Sequence, residues 1–177
     1  PEIISNLENP ERRSVISTRV DNIWPKWKQI KPAVPAMFRG IGLGTVLGVL
    51  PGGGALLSSF VSYSLEKRLA KDPGRFGKGA VEGVAGPEAA NNAGAQTSFI
   101  PLLTLGIPSN PVMAIMMGAM ILHGIQPGPQ VITKQPELFW GLIASMWMGN
   151  FFLLILNLPM IGLWVKLLTV PYRFLFP

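Results

Sequence analysis

The sequence predicts an all-α integral membrane fold: a re-entrant helical hairpin, then a discontinuous transmembrane helix, then one full transmembrane helix. Three observations predict it. Gly40–Leu65 (26 residues), Ala89–Thr133 (45 residues) and Leu138–Val165 (28 residues) contain no Asp, Glu, Lys or Arg. Two of these stretches are broken by Pro and Gly where a simple membrane helix would continue. The Lys and Arg residues collect in a few short segments between them. A helix needs about 20 apolar residues to cross a bilayer, so each stretch is long enough. Three such stretches in 177 residues would leave a soluble protein too little polar surface.

Composition narrows the function classes. Hydrophobic residues make up 49% of the chain and charged residues 14%, against about 25% charge in an ordinary soluble domain. There is no Cys, which excludes disulfide scaffolds, thiolate metal sites and thiol nucleophiles. A single His leaves little basis for His-based metal centres or catalytic triads. The net charge is +6. The positive residues flank apolar spans without an aromatic–basic motif, so no nucleic-acid partner is expected. The chain opens on Pro1 and a polar, basic segment, and is expected to be an internal piece of a longer polypeptide. Residues 1–36 are expected to form a cytoplasmic and interfacial segment, and 37–177 the transmembrane part. Trp24, Trp27, Lys26, Lys28 and Lys31 give the end of that first segment an interfacial composition.

The first apolar stretch reads GIGLGTVLGVL, then Pro51–Gly54, then ALLSSFVSYSL. Each flank is 11 residues, about 16 Å of helix and half of a bilayer core. Charge chooses between a broken crossing helix and a hairpin. With a single crossing here and one in each later stretch, the two sides would hold eight and seven of the fifteen Lys and Arg. With a hairpin, fourteen lie on one side and only Lys134 on the other. Cytoplasmic loops collect Lys and Arg, so the hairpin is preferred, with its turn near the membrane midplane. Arg39 reads as a snorkelling anchor, and Tyr63, Glu66, Lys67 and Arg68 as a cytoplasmic helix end.

The second stretch predicts two half-helices. Pro87 can open the first, with Glu88 favourable beside it. The segment GIPSNP at 106–111 breaks it. Asn110 is a good N-cap and Pro111 a good first residue for the second half-helix, which ends near His123. Half-helices at 87–106 and 111–123 are thus expected, with the break inside the membrane. Met113, Met116, Met117 and Met120 follow helical spacing and are expected to pack. Pro127–Pro129 is a stop and a turn. The third stretch is the plain transmembrane helix, in which Asn150 is expected to hydrogen-bond to another helix.

Broken helices point to a binding site. Backbone N–H and C=O groups cannot stay unpaired in hydrocarbon, so irregular backbone at membrane depth lines a cavity or is buried in protein. In transporters, half-helix N-termini face anions and unwound carbonyls bind cations. The candidate anion-binding residues are Pro51, Gly52, Gly53, Gly54, Ser58, Pro108, Ser109 and Asn110. The candidate cation-binding residues are Gly52, Glu88, Asn91, Asn92 and Gly106, with Na⁺ as a candidate occupant. Glu88 is the only carboxylate between Gly83 and Pro136. It can shape a cation site or merely favour a helix start. Ser109 and Asn110 can contact a ligand or only cap, and Pro51–Gly54 can be a packing turn.

The segments GVLPGGGALLSSFVSYSLEKRL and FGKGAVEGVAGPEAANNAGAQTSFIPLLTLGIPSNPVMAIMMGAMILHGIQPGP carry a family resemblance. Over roughly Arg39–Asn150 the chain resembles the large membrane subunit of tripartite tricarboxylate transporters. The shared motifs are the Pro51–Gly54 turn, the Tyr63–Leu69 helix end, PEAANNA at 87–93 and the run from 105 to 129. Pro111 departs from the small residue that many relatives carry there. The resemblance implies one half of an inverted-repeat transporter fold in the bacterial inner (cytoplasmic) membrane, multi-pass. It implies secondary uptake of tricarboxylates or related carboxylates, coupled to Na⁺ or H⁺ and without a further cofactor. The implied partners are a small membrane subunit and a periplasmic solute-binding protein. An ion channel built from re-entrant loops is the alternative, though no charged ring lines a pore. An intramembrane enzyme lacks a nucleophile–base pair.

Overall fold

The computed structural model describes residues 27–168. The polar segment 1–20, Trp24 and Lys26 lie outside the described residues. All described elements are helical. They divide between a unit of Pro25–Ile143 and a second that contains the helix from Ala144 onward.

Helix α1 (Trp27–Val49) ends at the first predicted break, and α2 (Gly54–Leu69) begins after it. The legs are 23 and 16 residues, about 34 and 24 Å. Both are longer than the 11-residue legs expected. On the α1 side, Trp27–Phe38 continue the helix through Pro32 and Pro35. The interfacial composition of that segment disguised a helix whose inner face, Ala33 and Ala36, is buried.

After α2, a single 3-10 turn at Pro73–Arg75 leads into α3 (Glu82–Thr97). Helix α3 starts before Pro87, which sits inside it. Turn bonds from Gly83 N to Ala80 O (3.1 Å) and Ala85 N to Val81 O (2.9 Å) start the helix upstream. Phe76 packs against Gly83 and leaves no room for a side chain there. The glycines at 79 and 83 concealed this start.

Helix α4 (Phe99–Leu105) continues from α3 through Ser98, which keeps right-handed helical dihedrals. Pro101 lacks the N–H that would close the ladder back to Thr97, which accounts for the interruption. Gly106 (φ +69°) ends α4, with its N–H on the Leu102 carbonyl. Helix α5 (Pro111–Leu122) then starts as the sequence predicts. Asn110 caps it by accepting from Met113 N at 3.0 Å, and Pro111 is the first residue.

Helices α1, α2 and α3 form a three-helix bundle joined by close backbone contacts. Beside it, Leu102 and Leu103 of α4, Met113 and Met120 of α5, and Val131 of the short α6 (Gln130–Lys134) form an apolar cluster. Met116 and Met117 pack against that cluster, so the methionine stripe serves packing.

Helix α7 (Pro136–Leu168) spans 33 residues, about 50 Å. It contains the predicted third span. Trp147, Phe151, Leu154 and Leu156 are exposed on it. Asn150, expected to bond to another helix, is exposed as well. Ile30–Val49 of α1 and Pro136–Leu167 of α7 are long and apolar enough to cross a membrane.

Candidate functional site: two helix breaks in contact

The bundle is built on a four-residue repeat of small side chains. Gly40, Gly44 and Gly48 of α1 are buried against Gly86, Ala90 and Gly94 of α3. A Cβ added at any of the three α1 glycines would strike α3 backbone. Helix α2 contributes a buried face at the same spacing: Gly54, Ser58, Ser62 and Glu66. Small residues let backbones approach closely, which is how helices associate where no water is present to drive burial.

This packing brings the two breaks together. The Gly52 N–H donates to the Ser109 carbonyl at 2.8 Å. Gly52 (φ +78°) and Gly54 (φ +73°) take left-handed dihedrals that only glycine adopts freely, which makes the reversal possible. The Gly53 N–H closes the turn on the Leu50 carbonyl at 3.1 Å. Two of the amides in the first break are thereby spent on structure. The first-turn amides of α2, from Gly54 onward, have no side-chain cap at Gly53. A helix leaves its first four N–H groups without intrahelical acceptors, and its N-terminus carries about half a positive charge.

Asn110 lies against this helix start. A Cβ at Gly54 would sit 3.4 Å from Asn110 Nδ2. That amide nitrogen donates to Ser98 Oγ at 3.0 Å, while Oδ1 caps α5. One Nδ2 hydrogen remains for another acceptor. Ser109 is 2% exposed and its hydroxyl donates to the Ser98 carbonyl (3.4 Å). Its role here is to tie the breaks together. Ser58 is fully buried and donates to the Gly54 carbonyl at 2.7 Å.

Ser98 was missed by sequence reasoning. Its hydroxyl, fully buried, lies 2.7 Å from the Gly94 carbonyl and 3.2 Å from that of Gly48. It accepts from Asn110 and so links α1, α3 and the second break. The available signal was its place in the run Gly86, Ala90, Gly94, Ser98, four residues apart.

The candidate residues separate into groups. Gly52, Gly53, Gly54, Ser58, Ser109 and Asn110 lie at the meeting of the breaks. Pro51 is exposed beside them and Pro108 half-buried. Glu88 and Asn92 are exposed on α3, one turn apart, where Asn92 Nδ2 donates to the Glu88 carbonyl at 2.9 Å. Asn91 is half-buried between Pro87, whose carbonyl lies 3.3 Å from Ser59 Oγ, and Gly94, which abuts Ser58. Gly106 lies at the other end of the second break, where a Cβ would be 2.9 Å from the Pro127 carbonyl.

Arg39 and Glu66 differ from expectation. Arg39 Nε and Nη2 donate to the two Glu66 carboxylate oxygens at 2.7 and 2.6 Å. The Glu66 side chain is 2% exposed and that of Arg39 39%. Arg39 thus joins the middle of α1 to the last turn of α2. A carboxylate one turn before a basic helix end resembles surface charge in the sequence. Its burial follows from its position on the small-residue face of α2.

Over residues 1–177 the sequence matches the model of the family described as "Tripartite tricarboxylate transporter TctA family". It is 62% identical over 176 residues to an Agrobacterium vitis protein described as "Uncharacterized 52.8 kDa protein in TAR-I ttuC' 3'region", covering 99% of this chain and 35% of that protein. It is 73% identical over 134 residues to a second Agrobacterium vitis protein, "Uncharacterized protein in TAR-II ttuC' 3'region", covering 76% of this chain and 55% of that one. The chain therefore spans about a third to a half of the length of these relatives. No solved structure matches it.

Proposed function

Because the chain belongs to the tripartite tricarboxylate transporter TctA family, we propose that it forms one repeat of a bacterial inner-membrane permease subunit. That subunit takes up tricarboxylates or related carboxylates by symport with Na⁺ or H⁺. A periplasmic binding protein delivers the substrate, and a small membrane subunit completes the complex. The hydrogen bond between Gly52 and Ser109 carries this reading, because it seats both breaks beside the uncapped start of α2.

The α2 N-terminus is the anion end of the site. Its first-turn amides and dipole favour a carboxylate, and Gly54 adds no side chain in the way. The spare Asn110 N–H is a second donor to the same group. Pro51 and Gly52, both exposed, form the side open to the ligand. No covalent chemistry is required. Coupling depends on movement of the hairpin bundle against a scaffold from the rest of the subunit.

The hairpin enters and leaves on the basic, cytoplasmic side in this reading. The Arg39–Glu66 pair ties the middle of α1 to the last turn of α2, so the two legs run side by side from that pair to the turn. From that pair to the turn, the legs measure about 15 and 18 Å, half of a hydrocarbon core. Single cysteines at Ser64 and Gln130 in the full-length subunit are expected to label from opposite faces of the membrane. Labelling from one and the same face would remove the topology.

Counterflow of labelled citrate in proteoliposomes of the full complex tests the activity. Saturable exchange that depends on Na⁺ or on pH is expected; an ohmic current would indicate a channel instead. Asn110→Asp retains a good N-cap but places a negative charge where the substrate carboxylate binds. It is expected to weaken exchange about a hundredfold in affinity, about 2.8 kcal/mol, with expression unchanged. Wild-type exchange in Asn110→Asp would rule out this site.

A further inference from the structure

Helix α2 carries two lines of residues at four-residue spacing, about half a turn apart. One is the buried face of Gly54, Ser58, Ser62 and Glu66. The other is Leu56, Phe60, Ser64 and Arg68, all exposed. Small side chains on the first line let helix backbones approach closely. On the second, Leu56 and Phe60 are large and 72% and 66% exposed, and they hold a neighbouring backbone away.

A groove of about 320 Å³ runs along this outer line, lined by Phe60, Val61, Ser64, Leu65 and Arg68. The small side chain of Ser64, between the larger Phe60 and Arg68, makes its notch. Polarity falls in order along the groove. Arg68 lies in the last turn of α2. Ser64 lies about 6 Å deeper along the axis and Phe60 about 12 Å deeper. A guanidinium, then a hydroxyl, then hydrocarbon matches the phosphate, the ester and the acyl chain of a phospholipid.

Charge selects the kind of lipid. Residues 67–78 hold five Lys or Arg and one acid, Asp72. Lys67, Arg68, Lys71 and Lys78 are exposed and make no ion pair among the described residues. A separate cavity of about 300 Å³ is bordered by Arg39, Glu66, Lys71, Asp72, Arg75 and Glu82. Its three bases and three acids balance one another. Among the described residues that line the α2 groove, Arg68 alone is charged, so the groove favours an anion.

We propose that this groove binds an anionic phospholipid of the cytoplasmic leaflet, with its phosphate on Arg68 and an acyl chain along Ser64, Leu65, Val61 and Phe60. Basic side chains at the cytoplasmic end of membrane helices attract anionic headgroups, and the apolar wall buries the chain. The assignment rests on the end of α2 lying at the cytoplasmic interface, as in the permease reading, and adds a lipid ligand to it.

Thermal unfolding of the full-length subunit in detergent, titrated with phosphatidylglycerol, tests it. Phosphatidylcholine of the same chains controls for charge, and glycerol phosphate for the acyl chain. The wild-type midpoint is expected to rise with phosphatidylglycerol and with neither control. Arg68→Gln should raise the half-saturating phosphatidylglycerol about fivefold. Ser64→Leu fills the notch without changing charge and should abolish the rise. Lys78→Gln removes the same charge away from the groove and should keep the wild-type half-saturation. An equal rise with phosphatidylcholine or with glycerol phosphate would overturn the site, and so would a full response in Ser64→Leu. Equal weakening by Arg68→Gln and Lys78→Gln would overturn it in favour of a diffuse surface field. No response to either lipid would overturn it by showing the groove covered by another part of the subunit or by a second copy. None of these readouts uses citrate exchange, so failure of the lipid site leaves the carrier reading intact.

Discussion

Gly44→Leu is expected to prevent the hairpin from docking on α3. A Cβ at Gly44 would meet the Ala90 carbonyl oxygen and lie 2.9 Å from Ala90 C and Cα. All of these are backbone atoms in a helix and cannot swing aside, so the whole of α1 must retreat. Overpacking of this kind costs about 3 kcal/mol. The retreat would also break the Gly48–Ser98 contact, and with it the support of Asn110. Gly42, half a turn away, provides the control, because a Cβ there meets nothing within 4 Å. In full-length protein, Gly42→Leu should retain the wild-type thermal midpoint and citrate exchange. Gly44→Leu should lower the midpoint and abolish exchange. Equal behaviour of the two variants would show that close α1–α3 packing does not hold the bundle.

Truncating either partner of the Arg39–Glu66 pair is expected to destabilise unequally. Arg39→Ala leaves a carboxylate that is 2% exposed with no guanidinium to neutralise it. Leaving a buried charge uncompensated costs about 3–5 kcal/mol. Glu66→Ala leaves a guanidinium that is already 39% exposed and borders the cavity. That group can turn toward water, so the loss should be nearer about 1 kcal/mol. The apolar double variant Arg39→Met/Glu66→Leu should recover most of the stability, because it removes both charges together. Thermal unfolding of the full-length subunit in Na⁺-free medium would show the order. A larger loss from Glu66→Ala than from Arg39→Ala would mean that the carboxylate has another neutralising partner.

Local chemistry made much of the architecture readable. Pro51–Gly54 and Gly106–Pro111 interrupt helices because Pro removes a donor and Gly accepts left-handed dihedrals. Asn110 and Pro111 place the start of α5 to the residue, since capping needs only neighbours in sequence. The charge-free, largely apolar run from 138 to 165 specified α7.

Misreadings arose where distant groups decide. Trp27–Ala36 looked interfacial by composition, yet Ala33 and Ala36 turn inward as part of α1. Pro87 looked like a helix start, but contacts of Phe76 and the turn bonds at Ala80 and Val81 begin α3 earlier. Arg39 and Glu66, 27 residues apart, carry nothing in sequence to show that they pair. Ser98 looked like one small polar residue among several.

The order of the amino acids by itself determined where helices stop, which spans are apolar enough for lipid, and which small residues recur every fourth position. These follow from backbone dihedral limits, hydrogen-bond donors and hydropathy, all local properties. Only the tertiary structure decided that the two stops touch, through Gly52 and Ser109, and that a buried carboxylate faces a guanidinium from the neighbouring leg. Those outcomes depend on which faces of three helices lie together. That choice is made by the close approach of Gly40, Gly44 and Gly48 to α3, summed over the whole contact rather than written at any one residue.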